Sequence, residues 1–240
     1  MEDNGGGILF KTLHFAISVG TCASFLPALQ LVAARRRHFE CFIAVFQLLS
    51  AVMYSACDAL SMARVLFVSR NDWHMISDIA TETYVCFLCI HLCGLRSEET
   101  MIWLRYVAFG GAWLAKLGDG WGSVALEALL LAGFALPAGG MAMQEFATGR
   151  LAPILFPGGG ADPPAFVAFL DRSLAFDRKV APRAAGSVAV GLLLLVGELS
   201  FDTSLRILNA LAHCAFGGAA YFLWRVLPCY DKNDELPTFR

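Results

Sequence analysis

The sequence predicts an all-α bundle of about seven membrane-spanning helices, its N-terminus outside or lumenal and its C-terminus cytosolic. Three observations carry that expectation. The chain is 58% hydrophobic and only 16% charged over 240 residues, against about 45–50% apolar and about 25% charged in a soluble domain. Apolar stretches near the roughly 20 residues needed to cross a bilayer recur along its whole length. Lys and Arg concentrate in alternate connections, the bias that sets membrane orientation. No polar block is large enough for a second, soluble core, so residues 1–240 read as a single bundle.

The expected spans are 12–34, 41–62, 75–95, 100–117, 122–146, 185–201 and 205–227. The first is followed by Arg35, Arg36 and Arg37, the third by Arg96, and the seventh by Arg225, Lys232 and Arg240. Arg150, Arg172, Arg178, Lys179 and Arg183 follow the fifth. The opposite side holds only Lys11, Arg64, Arg70, Lys116 and Arg206. That asymmetry sets the expected orientation and makes residues 147–184 a cytosolic loop. The loop carries F-P-G-G-G-A-D-P-P, then F-V-A-F-L-D-R-S-L-A-F-D-R-K-V. The second stretch reads equally as an interfacial helix or as a loose connection.

Some function classes recede on charge alone. A net charge of −2 gives no electrostatic footprint for nucleic acid. The acidic start Met-Glu-Asp-Asn argues against a cleaved signal peptide, whose first residues are basic. Most of the eight cysteines lie in apolar runs, where cysteine acts as a small hydrophobe. Cys86, Cys89, His91 and Cys93 invite a metal reading, but structural zinc sites sit in polar loops with a second ligand pair. Helix packing is the stronger account.

The third span is the informative one. His74, Asp78 and Glu82 follow each other at four-residue steps, which aligns them on one helix face. Ionisable groups at membrane depth face a bundle interior or a wet cavity, and are functional suspects by default. In the second span Gln47, Ser50, Tyr54 and Asp58 share a face, and in the seventh Asn209 and His213 do. The expected topology brings Asp58, Asp78, Asn209 and His213 to similar depth. The bland alternatives are a buried hydrogen bond or ion pair for Asp78 and a packing histidine for His213. Glu82 reads as a packing or pairing residue, and Glu127 as a partner for Lys116 or Arg105. Gly217 and Gly218, like Gly110 and Gly111, suit close helix approach. K-L-G-D-G-W-G around Asp119 lacks the strand a phosphate loop needs and reads as a turn.

Two stretches, F-L-P-A-L-Q-L-V-A-A-R-R-R-H-F-E and A-V-M-Y-S-A-C-D-A-L, resemble the transmembrane protein 8 and myomaker family. Trp73-His74 followed by Asp78 is similar to that family's third helix, and N-A-L-A-H at 209–213 to its H-x3-H. The family belongs to the CREST group of seven-helix membrane proteins, which includes alkaline ceramidases. The resemblance implies a zinc site of three histidines with a nearby Ser and Asp. The family's Ser falls on Ala51, its second-helix His on Ser55 and the first His of H-x3-H on Asn209. His213 is retained, Asp78 stands at the Asp, and Cys57-Asp58 keep the C-D ending. Ser and Asn are poor zinc ligands beside imidazole, so most of the expected zinc ligands are replaced. A rearranged set of His74, Asp78 and His213 is the remaining way to hold a metal.

Three functions follow as expectations. The first is a non-enzymatic membrane protein acting through membrane lipids or protein partners. The second is a metal-dependent lipid hydrolase in which Asp78 and His213 act on a metal-bound water, with Ser55, Asp58, His74 and Asn209 as neighbours. The third, a receptor or transporter with Asp58, Asp78 and Glu82 along a polar path, lacks the broken helices such proteins use. All three place the chain as an integral, multi-pass protein of the plasma membrane or an endomembrane.

Overall fold

A computed structural model describes residues 4–93, 95, 97–117, 124–155, 180–200 and 207–227. The described structure is almost entirely α-helical. Its helices are α1 (Asn4–Cys22), α2 (Leu26–Ala34), α3 (His38–Ala59), α4 (Arg70–Leu92), α5 (Glu98–Lys116), α6 (Val124–Leu155), α7 (Ala181–Ser200) and α8 (Ile207–Val226). A small antiparallel hairpin, β1 (Arg64–Val65) with β2 (Val68–Ser69), joins α3 to α4. Among the described residues four segments are long and apolar enough to cross a membrane: Leu9–Ala34, His38–Ala59, Arg70–Leu92 and Ile207–Val226. Ala125–Gly140 and Ala181–Gly197 are shorter apolar helices. Helix α5 has the length, but it carries Glu98, Glu99, Arg105 and Lys116.

The loop expected over 147–184 is helical at both margins, to Leu155 and from Ala181. The Gly- and Pro-rich stretch, the amphipathic stretch up to Lys179, Arg96, the Asp119 turn motif and Cys229 lie outside the described residues.

Local chemistry explains the breaks. Pro27 has no N–H for the carbonyl of Ala23, so the Leu26 N–H bonds it instead. The chain therefore tightens into one 3-10 turn (Ala23–Phe25) between α1 and α2. Helix α2 ends with Arg36 at φ 54° and Arg37 N–H returning to Val32. Helix α3 ends the same way, with Ser61 at φ 54° and Met62 N–H on Cys57. Both are Schellman closures made without glycine. Ser69 and Asp72 cap α4 reciprocally, the Asp72 N–H on Ser69 Oγ at 3.2 Å and the hydroxyl on Asp72 Oδ2 at 2.6 Å. Ser97 caps α5 by accepting from the Thr100 N–H at 3.2 Å.

The chain divides into two compact units. The first comprises residues 1–84 and 179–224, the second 85–178 and 225–240. In the first, α1 and α2 pack on α3. Helix α8 approaches the 3-10 turn so closely that a Cβ on Gly217 would lie 2.7 Å from the Ser24 carbonyl carbon. Gly191 of α7 lies under the Phe216 ring of α8. Trp224, fully buried, donates its indole N–H to Tyr84 Oη at 2.7 Å. Its carbonyl accepts from Arg35, and the Arg37 guanidinium lies 5.6 Å above its ring centroid. In the second unit α5 packs on α6. Lys116 Nζ meets Glu127 Oε1 at 2.7 Å, the pairing expected from sequence. Arg105 lies 3.2 Å from His91 Nε2.

On α3 and α5 burial is inverted relative to a water-soluble protein. The buried face of α3 includes Glu40, Gln47 and Ser50, while Phe42, Phe46 and Leu49 are exposed. Helix α5 buries Ala108, Ala112 and Ala115 and turns out Trp103, Tyr106 and Leu114. Small or polar residues inside and large apolar ones outside is how helices pack in lipid.

Candidate functional site: a polar seam between two helices

The polar face of α3 meets the polar face of α4 in antiparallel register. Asp58 forms an ion pair with Arg70. One turn inward Tyr54 meets the His74 ring edge-on, centroids 4.7 Å apart. Seven residues further along each helix, Gln47 Nε2 lies 3.5 Å from Thr81 Oγ1. Each step down α3 is matched by an equal step up α4. The i, i+4, i+7 repeat that puts residues on one helix face produces this ladder once the strands of the connection fix the register.

Exposure is mixed along the seam. The His74 side chain is 53% exposed and Asp78 34%, while Asp58 is 14% exposed. Gln47 and Ser50 are buried, with the Ser50 hydroxyl donating to the Gln47 carbonyl at 3.0 Å. Thr81 Oγ1 also donates to the Ser77 carbonyl at 2.8 Å. Glu82, one turn past Asp78, is buried.

His74 Nδ1 lies 3.2 Å from Asp78 Oδ2. A carboxylate there favours a proton on Nδ1 and leaves Nε2 as the acceptor, so Asp78 orients the imidazole. The other expected site residues make contacts of their own. Asp58 serves Arg70. Ser55 hydrogen-bonds with Cys22 on α1. Asn209 is half-buried and His213 exposed on α8. At His213 it is the backbone carbonyl that makes the contact, accepting from Ser24 Oγ at 3.3 Å. Among the described residues no group of three His, Cys, Asp or Glu side chains could hold a metal ion. His74 and Asp78 meet, and neither they with His213 nor Cys86, Cys89, His91 and Cys93 form such a group. Of the latter four, all but Cys93 are buried.

Sequence reading missed Arg70 and Thr81, the α4 halves of two seam contacts. Both carry the four- and seven-residue spacing from His74 that would have revealed them. It also missed Tyr84 and Trp224, for which no local signal exists, because their contact spans 140 positions.

Helices of this length, apolarity and inverted burial are those of an integral membrane protein with an all-α fold. The chain belongs to the family described as Protein of unknown function (DUF3522), which matches residues 11–214. No curated protein matches it.

Proposed function

We propose that the chain is a seven-span membrane protein that works through lipid or protein contacts, as a relative of the transmembrane protein 8 and myomaker family. Seven spans correspond to Leu9–Ala34 as one, followed by α3 to α8, with the N-terminus outside or lumenal. The observation that carries a non-hydrolytic reading is the occupation of both carboxylates, Asp58 by Arg70 and Asp78 by His74. The Asp58–Arg70 pair ties the end of α3 to the start of α4, while the His74–Asp78 pair lies within α4. Ala51, Ser55 and Asn209, standing where the resemblance calls for Ser and two His, support the same reading.

A second reading, a metal-dependent lipid hydrolase, draws on the Asp78-oriented imidazole of His74. Elemental analysis of the purified chain separates the two. Zinc well below one atom per chain, with no turnover of ester or amide lipids, is expected. Zinc at one atom per chain, lost in His213→Ala, overturns the non-hydrolytic reading.

A further inference from the structure

The ten-residue connection between α3 and α4 presents its least soluble residues at its tip. Val65 pairs with Val68, so Leu66 and Phe67 form a two-residue turn. Their φ values are 49° and 69°, the left-handed pair of a type I′ turn. That turn favours Asn-Gly, and bulky L residues avoid it. Yet Phe67 is 98% exposed and Leu66 65%. Leu60 and Met62, before the hairpin, are exposed as well.

The hairpin is held rather than loose. Trp73 donates its indole N–H to the Val65 carbonyl at 2.9 Å, and the Arg70 N–H reaches Ala63. The Ser69–Asp72 cap fixes the second strand to α4. A connection so braced, with disfavoured residues at its turn, positions those two side chains.

We propose that Leu66 and Phe67 are an interfacial anchor that inserts into the headgroup layer of the protein's own bilayer. Three observations favour that occupant over a protein. The connection joins the ends of two helices long and apolar enough to cross the membrane, and two residues per strand extend only about 7 Å. The headgroup layer is about 5–7 Å thick on each face, so the tip stays within it. Trp73, buried with its indole N–H on the Val65 carbonyl, forms a fixed base that holds the tip at that depth. Arg64, exposed on β1 beside the tip, supplies the charge that lipid phosphates attract.

The anchor rests on α3 and α4 spanning the bilayer, and the test separates the two. An environment-sensitive fluorescent amino acid is incorporated at position 67, or at position 49 in the middle of α3, in the full chain in nanodiscs. At 67, lipids with a nitroxide near the headgroup quench more than lipids with one at the chain end. Aqueous iodide quenches at least about tenfold less than it does the free fluorophore, the factor that burying much of one Phe provides. Iodide quenching equal to that of the free fluorophore overturns the anchor. So does shielding from iodide without nitroxide quenching, which marks a second copy or another protein as the occupant. If position 49 escapes deep nitroxide lipids, the spanning reading itself fails. Leu66→Asn/Phe67→Gly gives an independent check, since it relieves the turn. It raises the melting temperature in detergent, and that gain shrinks or reverses in nanodiscs. An equal gain in both overturns the anchor.

Discussion

At the residue scale, the first unit is closed by atoms that leave no room. Gly217 lies against Ser24, whose backbone a Cβ would reach at 2.7 Å. A backbone neighbour cannot rotate away, so Gly217→Ala costs about 1–3 kcal/mol through overpacking. Gly218→Ala meets only Ser187 Oγ at 3.9 Å, and gains up to about 1 kcal/mol from helix propensity. Thermal melts of the two variants in detergent should therefore move in opposite directions. Gly111→Ala is a milder case, since the atom in its way is the end of the Leu130 side chain. Tyr84→Phe leaves the buried Trp224 N–H without its acceptor and costs about 1–3 kcal/mol. Trp224→Phe/Tyr84→Phe removes donor and acceptor together. Its cost falls short of the sum of the two single variants, which denaturant or thermal titration measures as a coupling energy.

At the scale of elements, the α3–α4 seam is a contact ladder with a testable pairing. Asp58→Asn and Arg70→Gln each lose the same ion pair, so the double variant is less destabilised than the sum, with a coupling of about 1 kcal/mol. Additive losses would show that the pair contributes no mutual stabilisation. One side of this seam was legible in the sequence. Gln47, Ser50, Tyr54 and Asp58 share a face by spacing alone, and His74 and Asp78 share the facing one. Their partners were not, because Arg70 reads equally well as an orienting charge outside a span. The hairpin left no trace either. Its turn is Leu-Phe, whereas the residues that announce such a turn are Asn, Asp and Gly. A four-residue spacing likewise puts His213 on the face with Gly217, but cannot say that its backbone carbonyl accepts from Ser24 there. Cys86 and Cys89 are buried in apolar α4, a setting that suits cysteine as a small hydrophobe.

At the scale of the whole molecule, length and hydropathy placed helices with useful accuracy. The exceptions lie where hydropathy falls before the helix ends, as at residues 147–155 of α6. The inverted burial of α3 and α5 is the property that matters most here. In water it would expose Phe42 on α3 and Trp103, Tyr106 and Leu114 on α5, apolar surfaces of the kind that aggregate. The protein is therefore expected to remain in the pellet after alkaline carbonate washing of membranes. Under the proposed orientation, protease added to sealed microsomes removes a C-terminal tag and spares an N-terminal one. The reverse pattern would refute the orientation and leave the fold untouched.

The contact between Ser24 and the His213 carbonyl joins residues 189 positions apart. A ribosome adding about 5–20 residues per second takes roughly 10–40 s to cover that distance. For that interval the first helices sit in the translocon or the bilayer without the helix that seals them, and Arg35 lacks the carbonyl of Trp224. The complete unit is thus a product of waiting. A chain that stalls or is cut before Ile207 leaves Ser24 and Arg35 without these partners, however well its first seven helices have formed.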